Sequence, residues 1–263
     1  MRRINSNIIT DEVKRLCIEG NTILGDDVIK SFEENLTKEE SHLGRDILKI
    51  LIKNTYIAKE KSIPLCQDTG MAVFFVEVGQ DVIVVGDTLT EAINKGVSQG
   101  YIQGYLRKSV VSPIERINTK DNTPAIIHYE MVKGDKIKIQ YAPKGFGSEN
   151  MSKLKMLKPS DGIDGIKQFI VDTVSEAGPN PCPPIVVGVG IGGTVDKCAQ
   201  IAKKALFRDI GEHNKDENIK NLEREMLEKI NNLGIGPQGF GGNTTALAVN
   251  IETFPTHIAG LPV

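Results

Sequence analysis

The sequence predicts an α+β fold, in which a helical N-terminal segment is followed by mixed β-sheet regions with packed helices. Three observations carry that expectation. Apolar residues recur at helical spacing through roughly the first sixty positions. Short runs rich in β-branched and aromatic residues follow, bounded by glycine, asparagine and aspartate. The helices gather at the N-terminus instead of alternating one for one with strands, as a doubly wound sheet would require.

Taken in order, Asp11 to Glu19 and Asp27 to Leu36 carry helical apolar spacing, and a longer helix is expected from Leu43 to Lys59. Leu43, Ile47, Leu48, Ile50, Leu51 and Ile52 form its predicted apolar face. The charged run Thr37-Lys38-Glu39-Glu40 before it reads as a solvated turn. Met71 to Val78 and Asp81 to Val85 read as paired strands around Gly79. Thr90 to Tyr105 reads as a helix in which Gly96, Gly100 and Gly104 share one face, where another element could approach closely. Ile126 to Val132 and Lys136 to Tyr141 read as a hairpin through Lys133-Gly134-Asp135. Ser160 to Glu176 and Val195 to Phe207 are expected helices, with a buried strand from Pro184 to Val189 between them. A polar helical stretch from Asp209 to Leu233 and a strand from Thr245 to Ile251 complete the chain.

The chain has 263 residues, of which 40% are hydrophobic and 25% charged, enough for a sizeable core under an ordinary surface. It is read as a single domain over 1–263, helical over 1–60 and mixed over 61–263. The formal net charge of −2, with both signs interspersed, gives no electrostatic case for nucleic acid or an acidic membrane surface. No apolar run approaches the roughly 18 residues of a membrane span. No apolar run follows the basic start Met1-Arg2-Arg3, so a cytoplasmic protein with reduced thiols is expected. The four cysteines, Cys17, Cys66, Cys182 and Cys198, form no Cys-x-x-Cys pair. In such a chain they are core residues or ligands.

Three segments could carry chemistry. In Ile63-Pro64-Leu65-Cys66-Gln67-Asp68-Thr69-Gly70, a thiol, an amide, a carboxylate and a hydroxyl are consecutive between a helix and a strand. The competing reading is a turn in which Asp68 and Thr69 bond local backbone while Cys66 packs inward. In Gly178-Pro179-Asn180-Pro181-Cys182-Pro183-Pro184, prolines hold a cysteine stiffly, which suits a thiolate that must meet a metal in a set direction. A plain proline-rich connection is the alternative. Gly188, Gly190 and Gly193 satisfy the dinucleotide pattern G-x-G-x-x-G, and Asp209 lies roughly where a ribose-binding acid is sought. The polar helical segment from Glu212 to Leu233 stands where a Rossmann unit needs a second strand, so a nucleotide-binding module is the weaker reading. Glycine amides at a helix start can equally hold a carboxylate. Pro237 to Thr245 reads as another backbone cradle or a flexible turn.

Arg107 could grip a carboxylate bidentately or simply be a surface cation. His257 could act as acid or base, or be a satisfied core residue. Cys17 and Cys198 fall on helical patterns and read as packing residues. A structural zinc site is disfavoured because such sites draw on close cysteine pairs.

Pro64-Leu65-Cys66-Gln67-Asp68-Thr69-Gly70, Gly147-Ser148-Glu149-Asn150-Met151, Asn180 to Pro184 and the block Gly234 to Val263 together resemble the α subunit of class I fumarases and L-tartrate dehydratases. The resemblance covers essentially the whole chain, with the motifs in the family's order. It implies a hydro-lyase with a [4Fe–4S] cluster held by three cysteines, whose open iron acts as a Lewis acid on substrate hydroxyl and carboxylate. It implies that Cys66 and Cys182 are cluster ligands and that Gln67, Asp68, Arg107 and Gly147 contact substrate. Asp68 and His257 are implied as catalytic residues. The substrate pair so implied is fumarate and (S)-malate, with L(+)-tartrate going to oxaloacetate as the alternative. A separate β subunit is expected, in a dimer of αβ pairs. The resemblance places a third cysteine after Val263, so a shortened C-terminus is expected, and with it a cluster poorly held.

Overall fold

The computed structural model describes residues 1–263. The elements run β1 (Arg2–Asn5), α1 (Ser6–Thr22), α2 (Asp26–Lys38), α3 (His42–Lys61), β2 (Met71–Gly79), β3 (Val82–Val85), α4 (Leu89–Gln103), β4 (Ile126–Val132) and β5 (Ile137–Lys144). They continue with α5 (Phe146–Glu149), β6 (Met156–Leu157), α6 (Gly162–Ala177), β7 (Ile185–Gly192), α7 (Val195–Ala205), α8 (Glu217–Asn231), β8 (Ala246–Phe254) and β9 (Leu261–Pro262). This is the α+β class expected. The chain divides into two compact units, one of Met1–Leu24 with Asn54–Phe146, the other of Gly25–Lys53 with Gly147–Val263. The N-terminal helices are therefore shared out between the units, with α1 in the first and α2 in the second.

The first unit is organised by β2. Its residues Ala72 to Val76 are all nearly inaccessible, so the strand is buried on both faces and takes a partner on each edge. β4 pairs with it in parallel and β5 antiparallel, giving the order β4-β2-β5. Two sequence expectations are corrected here. β4 and β5 do not form a hairpin, because β2 lies between them. β2 does not pair with β3, which instead lies parallel to β1. Both differences have one cause: the most apolar strand claims the centre of the sheet, ahead of pairing between sequential neighbours.

α4 begins at a capping box, with Thr88 and Glu91 satisfying each other's backbone amides. Its glycine face meets α1 at backbone distance: a Cβ on Gly96 would stand 2.7 Å from the Thr10 carbonyl oxygen, and one on Gly100 2.7 Å from Cys17 Cβ. Close approach is thus the use of the glycine ladder, and α1 itself fills that face. Ile9, Val13, Cys17, Phe74, Ile93, Val97 and Tyr101 form the core that results.

In the second unit β7 and β8 are parallel, with Val187 opposite Val249 and Val189 opposite Ile251. α6, α7 and α8 supply the remaining core through Ile166, Ile170 and Val174, through Ile201, and through Leu222, Met226 and Ile230. β9 pairs with β6, which buries Val263. In the Thr37–Glu40 run, Thr37, Lys38 and Glu40 are exposed as expected, and Glu39 is not. Glu39 is 2% exposed, and its Oε1 accepts the amides of Ser41 (2.9 Å) and Asn243 (3.1 Å). Burial works to raise its carboxyl. Hydrogen bonds from Thr244 and from the Ser41 and Asn243 amides outweigh that and hold it below the usual carboxylate range. The expected apolar face of α3 is also narrower than read: Leu48 is buried, while Leu43 and Ile50 are exposed.

Candidate functional site

In the first unit the Cys66–Gly70 loop is a fixed structure. The Leu65 amide donates to the Asn21 carbonyl at 2.8 Å, and Asn54 Nδ2 donates to the Leu65 carbonyl at 2.9 Å. The Tyr101 hydroxyl donates to the Thr69 carbonyl at 2.7 Å, and Asn122 Nδ2 to that of Gly70 at 3.1 Å. A Cβ on Gly70, whose φ is +67°, would stand 2.4 Å from the Lys144 carbonyl carbon, so the loop lies tight against the end of β5.

On this frame Cys66 and Gln67 are exposed and Asp68 is half-buried. Asp68 Oδ1 accepts the Gly70 amide at 3.0 Å and its Oδ2 accepts the Phe146 amide at 2.9 Å. The expected local turn is therefore half right. Asp68 does bond nearby backbone, but Thr69 reaches 38 residues along the chain to Arg107. The loop and Arg107 are thereby brought together. The Arg107 side chain is exposed and forms no ion pair within the chain, a cation available to an anionic ligand.

In the second unit Cys182 is exposed, with its backbone in the left-handed region at φ 58°. Its amide donates to the Pro179 carbonyl at 2.9 Å, closing the turn. Gln238 Nε2 donates to the carbonyls of Cys182 (3.2 Å) and Pro183 (2.9 Å), so the Pro237–Thr245 segment buttresses the cysteine loop instead of forming an open cradle. Gly147 lies at this loop: a Cβ on it would stand 3.0 Å from the Asn180 carbonyl oxygen. Gly147 thus lies against the loop that carries Cys182.

His257 occupies a separate turn beyond β8. It is exposed, contrary to the core alternative, and its Nδ1 accepts the Ala259 amide at 3.2 Å. In the neutral ring that bond places the proton on Nε2. Thr256 Oγ1 fixes the turn by donating to the Gly193 carbonyl at 2.9 Å.

The remaining cysteines pack, as read. Burial pushes the Cys17 thiol up to about 12, and burial likewise raises that of Cys198, so neither offers a thiolate near neutral pH. The four thiols are free, and no group of three His, Cys, Asp or Glu side chains is placed to hold a metal ion. Cys66 and Cys182 are accessible as ligands but do not make a complete set by themselves.

The glycine pattern before α7 serves packing. A Cβ on Gly188 would stand 2.3 Å from the Ala202 carbonyl oxygen, and one on Gly190 2.2 Å from that of Cys198. At the start of α7, the Thr194 hydroxyl and then the Asp196 and Lys197 amides hold the Asp196 carboxyl below its ordinary value. An acid therefore already stands at this helix start, where its charge works against a phosphate. Gly190→Ala is accordingly expected to lower stability by about 1–3 kcal/mol, read as a shift in urea midpoint at unchanged slope. A variant as stable as the parent would mean that the strand and helix are not in this contact.

Sequence reasoning missed Asn122 and Gln238. Each is a lone amide in an irregular stretch, with no periodic signal, and acts through contacts distant in sequence.

The sequence profile of the family described as "Fumarate hydratase (Fumerase)" matches residues 10–263. A Methanocaldococcus jannaschii protein provisionally named L(+)-tartrate dehydratase subunit alpha is 48% identical over 261 residues, 97% of this chain and 92% of its own length. The L(+)-tartrate dehydratase subunit alpha of Escherichia coli O157:H7 is 32% identical over 255 residues, 95% of this chain and 84% of its own. That of Shigella sonnei is 31% identical over the same shares.

Proposed function

This chain belongs to the fumarate hydratase (Fumerase) family, and we propose that it is the α subunit of a hydro-lyase interconverting fumarate and (S)-malate by reversible hydration. The observation that carries the reading is the match over residues 10–263, which takes in both fixed cysteine loops and the histidine turn. A second reading, L(+)-tartrate to oxaloacetate, is favoured by the names of the relatives at 48% and 32% identity. The two differ by one substrate hydroxyl.

The chain's own residues divide the work as follows. Arg107, an exposed cation without a counter-ion, binds one substrate carboxylate. The Gln67 amide and the Gly147 backbone contact the polar groups of the substrate. Asp68, with an amide on each oxygen, is held in one orientation and retains lone pairs on both for a substrate proton. His257 presents Nε2 as the second proton-handling group. The proposed cofactor is a [4Fe–4S] cluster, with Cys66 and Cys182 as two of its cysteine ligands. Relatives named as α subunits support a separate β subunit, and an assembly of two αβ pairs is proposed with it. No helix is long and apolar enough to cross a membrane, and a cytoplasmic site of action is part of the proposal.

The test is turnover by the chain assembled with its β subunit under anaerobic conditions, on malate, fumarate and L(+)-tartrate in parallel. Hydration of fumarate with kcat/KM above that for tartrate is expected. A large tartrate preference would move the assignment to the second reading, and no turnover of any of the three would end both.

A further inference from the structure

We infer that Thr69 is a positioning residue that sets Arg107 against Gln67 and Asp68, with Asn122 as a second brace. The inference deepens the function proposed above and rests on it. Thr69 is 2% exposed. Its Oγ1 accepts the Arg107 amide at 2.9 Å and donates to the Arg107 carbonyl at 3.1 Å. One hydroxyl has the proton and the lone pairs to do both, so a single side chain satisfies both backbone groups of one distant residue. The flanking positions are stapled in the same way. Asn122 is inaccessible and held in the left-handed region at φ 65°. Its Nδ2 donates to the Gly70 carbonyl at 3.1 Å, while its Oδ1 accepts the amides of Ser109 (2.7 Å) and Val110 (3.2 Å).

The residues on either side of the joint explain why it is built this rigidly. Asp68 precedes Thr69, and the Arg107 head has no protein partner to aim it. A long cation without a counter-ion takes its direction from its backbone, and here that backbone is fixed to the loop carrying Gln67 and Asp68. Binding of a dicarboxylate then meets a cation and a carboxylate whose backbones already stand at a set separation, so that only the Arg107 side chain is left to order.

The experiment is a double-mutant cycle on the assembled αβ enzyme, with KM, kcat and melting temperature measured for each variant. Thr69→Val, nearly isosteric but without the hydroxyl, is expected to lower kcat/KM on the order of 10- to 100-fold, chiefly through KM. Thr69→Ser keeps the hydroxyl and is expected to stay within about threefold of the parent. In an Arg107→Ala background, Thr69→Val is expected to change kcat/KM by less than about twofold, because its effect passes through Arg107. Equal losses in both backgrounds would show a merely structural role and overturn the inference. So would a Ser variant as impaired as the Val variant, or an Arg107→Ala enzyme with parental KM. If Thr69→Val does not assemble, Thr69→Ala enters the same cycle. A parent enzyme inactive on every dicarboxylate would instead overturn the proposed function and take this inference with it, which separates the two failures.

Discussion

Asp68→Ala lowers kcat of the assembled enzyme by about 10²- to 10⁴-fold, the range lost with a positioned proton-handling group. The side chain holds the Gly70 amide on one oxygen and the Phe146 amide on the other, so its orientation is fixed before any ligand arrives. Removing it also leaves two amides without acceptors, at a cost of about 1–3 kcal/mol for each that stays dry. Asp68→Asn separates these effects. The amide side chain keeps one acceptor, so its melting temperature should fall less than that of the alanine variant, while its kcat falls as far because the carboxylate is gone. Steady-state rates and melting curves on both variants give the comparison. If Asp68→Asn turns over within about tenfold of the parent, the carboxylate serves the loop and the proton is handled elsewhere.

The same residue marks where the sequence was legible and where it was not. A carboxylate two residues from a thiol, bracketed by proline and glycine, reads as a fixed loop, and the loop is fixed. What fixes it could not be read, because Tyr101, Asn122 and Asn54 contribute single side chains from scattered positions. The helices were legible because α1, α4 and α6 carry their apolar spacing locally. The strands were legible as strands but not as a sheet, since pairing depends on which strand is most buried, and β2 outcompetes the local hairpin. Gly188 and Gly190 show the opposite hazard. The pattern is real, but here Gly188 and Gly190 serve the close packing of β7 on α7, and Asp196 sets an acid at the helix start where a phosphate would be sought. Glu39 was misplaced for a related reason: a charge in a charged run reads as solvated until the amides that bury it are seen.

Glu223 should show the largest effect on stability. It is 1% exposed and lies on α8, among groups drawn from β8 and the segment after α7. Arg208, itself 13% exposed, pairs with it and also with Glu252. The Ile251 amide donates to Oε1 at 2.9 Å, and the Asn214 amide to Oε2 at 3.1 Å, with His213 Nδ1 also 3.1 Å from Oε2. Glu223→Ala leaves Arg208 with the half-exposed Glu252 as its remaining carboxylate and strips two backbone amides of their acceptor. Breaking one side of a buried pair costs about 3–5 kcal/mol. Burial works to raise the Glu223 carboxyl from its ordinary 4.5, but the Ile251 amide, Arg208 and the Asn214 amide outweigh it and hold it lower. A carboxyl depressed by folding stabilises the native state above its unfolded pKa, and that contribution is lost as pH falls through the native value. The difference in unfolding free energy between the parent and Glu223→Gln should therefore be full at pH 6 to 7 and narrow progressively below about pH 4.5. Urea titrations of both proteins across that range measure it directly. A gap that stays constant down to pH 3 would mean that the variant loses packing and not charge, and that Arg208 finds its compensation in Glu252.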